Sequence, residues 1–144
     1  STDGIQVYNT KTKKLEYLSE RDDKTEFRCM TTMETQMGTK FIVGNDRGEL
    51  MLYNWGDFGI PIEKLKRHPE EVSAVVPYNL DTCVTAAEDG IIRMVNLFPN
   101  KVLGILGDHN EDTILDMKKS NHNPDLIASA GLSYVKFWNM KILD

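Results

Sequence analysis

Apolar residues along this chain fall in short runs separated by polar turns, a pattern that predicts strands throughout and no helix. Four runs align: Ile5-Gln6-Val7-Tyr8-Asn9, Leu50-Met51-Leu52-Tyr53-Asn54, Ile92-Arg93-Met94-Val95-Asn96 and Val135-Lys136-Phe137-Trp138-Asn139. Each ends on Asn, at spacings of 45, 42 and 43 residues. Asp3-Gly4, Asp46-Arg47-Gly48 and Asp89-Gly90 precede the first three, and Gly131-Leu132-Ser133-Tyr134 precedes the fourth. Asp-Gly between apolar runs predicts a tight hairpin, because Gly takes a positive φ without a Cβ clash. The runs ahead of these turns, Phe41–Gly44, Cys83–Ala86 and Leu126–Ser129, are short and β-prone.

Further strands fall between the hairpins, at Leu15–Leu18, Phe27–Met30, Ile62–Leu65, Val72–Val76, Val102–Leu106 and Ile114–Met117. With the strands of a unit lettered a to d, residues 1–26 hold c and d, and 27–67 and 68–108 each hold a complete a-b-c-d unit. Residues 109–144 hold a, b and c. Four strands repeating every ~40–45 residues are the signature of a WD40-type β-propeller. The b and c strands are apolar at nearly every position, as expected of sheets covered on both faces by neighbouring blades. The closing Asn stands where that repeat has Asp, and only Trp138 supplies its Trp. The chain holds about 3.3 repeats, whereas seven blades need ~300 residues. The expectation is a partial all-β propeller lacking the N-terminal half of the ring, its open edges covered by that half, a symmetry partner or a large assembly.

Composition narrows the function classes. The chain is 40% hydrophobic and 27% charged, which is globular. Its 17 Lys+Arg against 22 Asp+Glu leave a net charge of −5, without the basic excess of an autonomous nucleic-acid binder. No apolar run reaches the ~18–20 residues of a membrane span, so no membrane partner is expected. Cys29 and Cys83 lie inside apolar runs away from any patterned His, and read as reduced, buried thiols of an intracellular protein. No metal, cofactor or catalytic set is expected.

Two units place a His, a hydroxyl and a third polar residue at fixed offsets: His68, Thr85 and Asp89, then His109, Ser129 and Trp138. Such sets superficially suggest nucleophilic catalysis. In the WD40 pattern the His opens strand a and meets a strand-b hydroxyl, the turn Asp and the strand-c Trp. Here Val95 replaces Trp in one unit and Leu132-Ser133 replaces Asp in the other. The reading is of structural groups at the blade rim. His122, in a turn-rich loop, and the runs Asp22-Asp23 and Asp108…Glu111-Asp112 are expected to be solvated.

The c–d loops are the candidate binding sites; the simpler reading is that their aromatics fold under the loops to close the blades and that their lysines are a solvated rim. Asn54–Pro61 and Asn96–Lys101 bring Trp55, Phe58 and Phe98 to one face of adjacent blades, as candidate contacts for a protein partner. Lys11, Lys13 and Lys14 in the first c–d loop, Lys64–Arg67 and Lys118-Lys119 are candidates for RNA phosphates within a larger particle.

Phe41 to Trp138 resembles the C-terminal half of the propeller of the WD repeat-containing protein 55 family. The residues that carry this are Val43–Gly48, Tyr53-Asn54-Trp55-Gly56-Asp57-Phe58-Gly59, Val76-Pro77, Asp89–Gly104, Leu126–Ser129 and Lys136–Met140. The resemblance implies a non-enzymatic, seven-bladed scaffold in the nucleolus that docks proteins, and ribosomal RNA, during large-subunit production. The alternative is a substrate receptor of a cullin-type ubiquitin ligase. Such receptors often carry Trp-Asp-x-Arg after strand c, and Lys11, Gly56, Phe98 and Lys141 stand at the Arg position here.

Overall fold

Successive side chains of a strand point to opposite faces, so a run that is apolar throughout must be covered on both sides. Runs of this kind sit at the centre of the two four-stranded sheets; in the last sheet one face is open, with Leu115, Val135 and Phe137 exposed. The computed structural model describes residues 6–11, 14–18, 26–58, 61–66, 68–98, 100–110 and 112–143. Within them, β1 (Gln6–Asn9) pairs with β2 (Lys14–Leu18). A four-stranded antiparallel sheet runs in chain order through β3 (Phe27–Thr35), β4 (Gly38–Asn45), β5 (Glu49–Asn54) and β6 (Glu63–Lys66). A second contains β7 (Val72–Asn79), β8 (Thr82–Ala87), β9 (Ile91–Leu97) and β10 (Asn100–Asp108). A third contains β11 (Ile114–Lys119), β12 (Leu126–Gly131) and β13 (Val135–Asn139). These are the blades of the expected all-β WD40-type propeller.

Period-two alternation divides each central strand between two interfaces. On β5, Leu50 and Leu52 join Val72, Val75, Cys83 and Val95 of the next sheet, while Met51 and Tyr53 join Val43 and Phe58 on the other side. All six residues of β8 are buried. Its Cys83 faces the 27–66 sheet, and its Val84 and Ala86 pack with Ile114, Met117 and Ile127 of the third sheet. Each fully buried aliphatic side chain contributes roughly 1.5–3 kcal/mol, so these stacked faces hold the blades together.

Three local expectations need correction. β9 does not stop at Asn96 but continues to Leu97, which pairs with Asn100, so most of the expected 96–101 loop is strand. β10 accordingly runs the full length of its blade, with register shifts next to Gly104 and Gly107 where the absent Cβ permits a bulge. Lys14 is not in a loop but opens β2 opposite Asn9. The one-turn helix α1 (Met140–Leu143), unforeseen in the strand pattern, tucks Met140 into the core as its N–H donates to the Asp125 carbonyl at 2.7 Å. No helix among the described residues is long and apolar enough to cross a membrane.

Candidate docking rim and histidine clamps

His68 lies in the connection from β6 to β7, held where its N–H donates to the Gly48 carbonyl at 3.3 Å. Its ring spans two blades. Nδ1 reaches the same carbonyl, in the β4–β5 turn, at 3.3 Å, and Nε2 lies 2.7 Å from Thr85 Oγ1 on β8. The carbonyl requires the proton on Nδ1, which leaves Nε2 to accept from the Thr85 hydroxyl. Burial pushes the imidazole down to about 4, against an ordinary 6.5, so it is neutral at pH 7. Gly48 has φ +79°, and a Cβ there would stand 2.2 Å from the His68 carbonyl oxygen.

Asp89 does not complete this set by hydrogen bonding to His68. Its carboxylate accepts from Arg93 at 2.8 Å and from the Ile91 N–H at 3.1 Å. Burial raises the carboxyl, but Arg93 and the Ile91 N–H outweigh it and hold it below the usual carboxylate range. Sequence reading missed Arg93. The available signal was its place four residues after the turn Asp, on the strand leaving the hairpin.

The second clamp shares the hydroxyl contact but not the turn contact, since His109 Nδ1 is buried without a hydrogen-bond partner among the described residues. His109 Nε2 lies 2.6 Å from Ser129 Oγ, and Trp138 Nε1–H donates to the same oxygen at 2.8 Å. Ser129 Oγ thus accepts from Trp138 and is shared with the His109 ring. Trp138 lies against Gly107 of the preceding blade, where a Cβ would be 2.4 Å from the indole. Lys136 Nζ sits over Tyr134 and Trp138, at 5.6 and 5.7 Å, and donates to the Asp108 carbonyl. Asp112, expected to be solvated, instead accepts the Ser133 N–H at 3.2 Å and so brings a carboxylate to the turn that lacks Asp. Asp22, Asp23 and Glu111 lie outside the described residues.

Neither clamp presents a nucleophile. Thr85 and Ser129 are fully buried, so their hydroxyls have no route to a substrate. Burial raises the Cys29 and Cys83 thiols to about 12, which keeps them protonated and unreactive. Among the described residues, no group of three or more His, Cys, Asp or Glu is disposed to hold a metal. His122 is exposed in its loop.

The aromatic loop residues separate. Trp55 is 59% exposed, Phe58 is buried at 6%, and Phe98 is half-buried. Phe58 therefore leaves the candidate contacts and folds under its loop, the simpler of the two readings, since Phe41, Trp55 and Phe58 interlock edge-to-face with 5.4 Å between the Phe58 ring and each neighbour. Lys11 is exposed in the β1–β2 turn, and Lys13 lies outside the described residues.

No protein-family model matches the sequence. The chain is 30% identical to WD repeat-containing protein 55 of Homo sapiens, across 97% of this chain and 36% of that protein. The chain is a homologue of WD repeat-containing protein 55. The Dictyostelium discoideum homolog is 31% identical across 95% of this chain and 33% of its own length. That of Drosophila erecta is 31% identical across 100% and 28%. The chain thus spans about a third of the length of its WD repeat-containing protein 55 relatives. Among solved structures, the crystal structure of the Mitotic Checkpoint Complex contains a chain matching at TM-score 0.75 and 17% identity, over 96% of this chain and 41% of that one. The computationally designed Ika4 protein matches at TM-score 0.73 and 18% identity, over 97% and 82%. These likenesses establish the propeller fold alone. WD-repeat proteins of this kind generally serve as non-catalytic scaffolds for protein partners.

Proposed function

We propose that this chain is part of a non-enzymatic scaffold acting in nucleolar ribosome biogenesis, in large-subunit and ribosomal-RNA maturation. It docks protein partners of a pre-ribosomal particle, with contacts to RNA phosphates at its lysines. The observation that carries this reading is the homology to WD repeat-containing protein 55 over 97% of the chain, kept from human to Dictyostelium. The sealed hydroxyls of both histidine clamps support a scaffold over a hydrolase, and the open Trp55 supports a docking role.

The test is gradient sedimentation of the tagged full-length protein from cell extract. The reading expects it in fractions holding large-subunit precursors, with release after ribonuclease or high salt. Absence from those fractions, together with stoichiometric co-purification of a ubiquitin-ligase adaptor, would replace it with the receptor reading.

A further inference from the structure

One end of the two complete blades carries three large apolar side chains in solvent: Met37 at 66%, Trp55 at 59% and Leu80 at 56% exposure. Single exposed hydrophobics need no explanation, but these three sit on turns that are tied to one another. The Gln36 N–H of the β3–β4 turn donates to Asp81 Oδ1 of the β7–β8 turn at 2.8 Å. The Trp55 N–H donates to the Thr39 carbonyl at 3.2 Å. From beneath, the buried Lys40 donates to the Met37 carbonyl at 2.5 Å and to Asn54 Oδ1 at 2.7 Å. The same ammonium lies 5.9 Å above the ring of Phe98 in the next blade. An apolar rim fixed in advance loses little freedom on binding, and a braced Trp is a favoured anchor.

The charges beside Trp55 select the partner. Glu34 and Asp57 are both exposed. Glu34 Oε1 accepts from the hydroxyl of Thr39, whose carbonyl holds Trp55, and Asp57 belongs to the Trp55 turn. Among the described residues neither carboxylate pairs with a lysine or arginine. Lys40 is turned inward and Asp81 is buried, while the exposed Lys101 stands past Phe98 on β10. Lys119 borders the same hollow as Glu34 and Leu80, but its ammonium is held by the Tyr78 carbonyl at 3.1 Å and lies over the Tyr78 ring. An open indole with carboxylates that no cation neutralises, on its own turn and on β3 of its own blade, attracts a cation and repels phosphate. We infer that this rim docks a basic protein segment in which an arginine or lysine adjoins a large apolar side chain. The cation covers the Trp55 ring toward Glu34 and Asp57, and the apolar group lies against Met37 and Leu80. This deepens the docking reading above by naming the class of partner.

Panning a library of short random peptides on the purified full-length protein tests it, followed by fluorescence titration of the recovered peptides. Enriched sequences should combine Arg or Lys with Leu, Phe or Trp. Their binding should weaken ~10-fold on Trp55→Ser. It should weaken several-fold on the double variant Glu34→Lys, Asp57→Lys and less, in proportion to the charge removed, on Glu34→Gln, Asp57→Lys, each compared at equal folded fraction, and it should fall with salt. Enrichment of acidic or uncharged peptides, no enrichment, or equal binding by the charge-reversed variant would overturn the inference. So would a single-stranded RNA oligonucleotide whose binding depends on Trp55. The sedimentation experiment fails or succeeds separately: loss of peptide binding with intact co-sedimentation rejects only the rim, and the converse rejects only the particle.

Discussion

Thr85 Oγ1 and His68 Nε2 meet at 2.7 Å, and the same imidazole reaches the carbonyl of Gly48 in the neighbouring blade. One buried side chain thereby satisfies polar groups of two sheets that otherwise adhere through apolar surface. His68→Ala would leave a cavity and an unpartnered Thr85 hydroxyl, while the Gly48 carbonyl keeps the backbone N–H of residue 68, with an expected loss of ~2–4 kcal/mol in urea unfolding of the full-length protein. Thr85→Val, nearly isosteric, should lose about 1 kcal/mol. An unchanged melt for His68→Ala would contradict the clamp.

Acid should weaken the same junction. His68 is held neutral in the fold, at about 4 against 6.5, so the unfolded chain takes up the proton first. Its contribution is complete above about pH 6.5 and disappears as the pH falls toward 4, on the order of 3 kcal/mol in all. His109, lowered by burial and next by Lys136, acts in the same direction. Unfolding measured between these pH values should show a shallower slope for His68→Gln than for wild type. Equal slopes would rule out titration of this ring.

The Gly48 turn offers a control within the same fold. Gly48 and Gly38 both have positive φ, at +79° and +94°, but only at Gly48 would a Cβ strike backbone. Gly38→Ala should lose about 1 kcal/mol from conformation alone, and Gly48→Ala at least ~3 kcal/mol because the His68 backbone must move as well. Comparable losses at the two sites would show that the β4–β5 turn does not hold His68.

Ser129 links His109 and Trp138 through a single oxygen, so their contributions should not add. A double-mutant cycle of Trp138→Phe with Ser129→Ala should give a coupling of ~0.5–1.5 kcal/mol. Additive losses would mean that the indole donates elsewhere.

The strand order of this fold was legible because its strongest signals are local: Asp-Gly turns, closing Asn residues and runs covered on both faces. The pairing of His68 with Thr85, and of His109 with Ser129 and Trp138, followed from fixed offsets within the repeat. What escaped depends on contacts across blades or loops. Phe58 is buried because Phe41 and Trp55 close over it, and nothing in the run Trp55-Gly56-Asp57-Phe58 says which aromatic faces inward. Asp89 turns to Arg93 because the guanidinium is a stronger partner than a neutral imidazole already held at both nitrogens. β9 passes its Asn because Leu97 finds both a core position and a partner in Asn100. Met37 and Leu80 were missed as rim residues because turn tips reveal exposure only once neighbouring blades are in register.

The central claim, a scaffold in large-subunit maturation, is tested most directly by depleting the full-length protein and following ribosomal-RNA precursors by pulse labelling. The account predicts accumulation of large-subunit precursors with small-subunit precursors unchanged, reversed on re-expression of the wild-type protein. An unchanged precursor profile after complete depletion would contradict it.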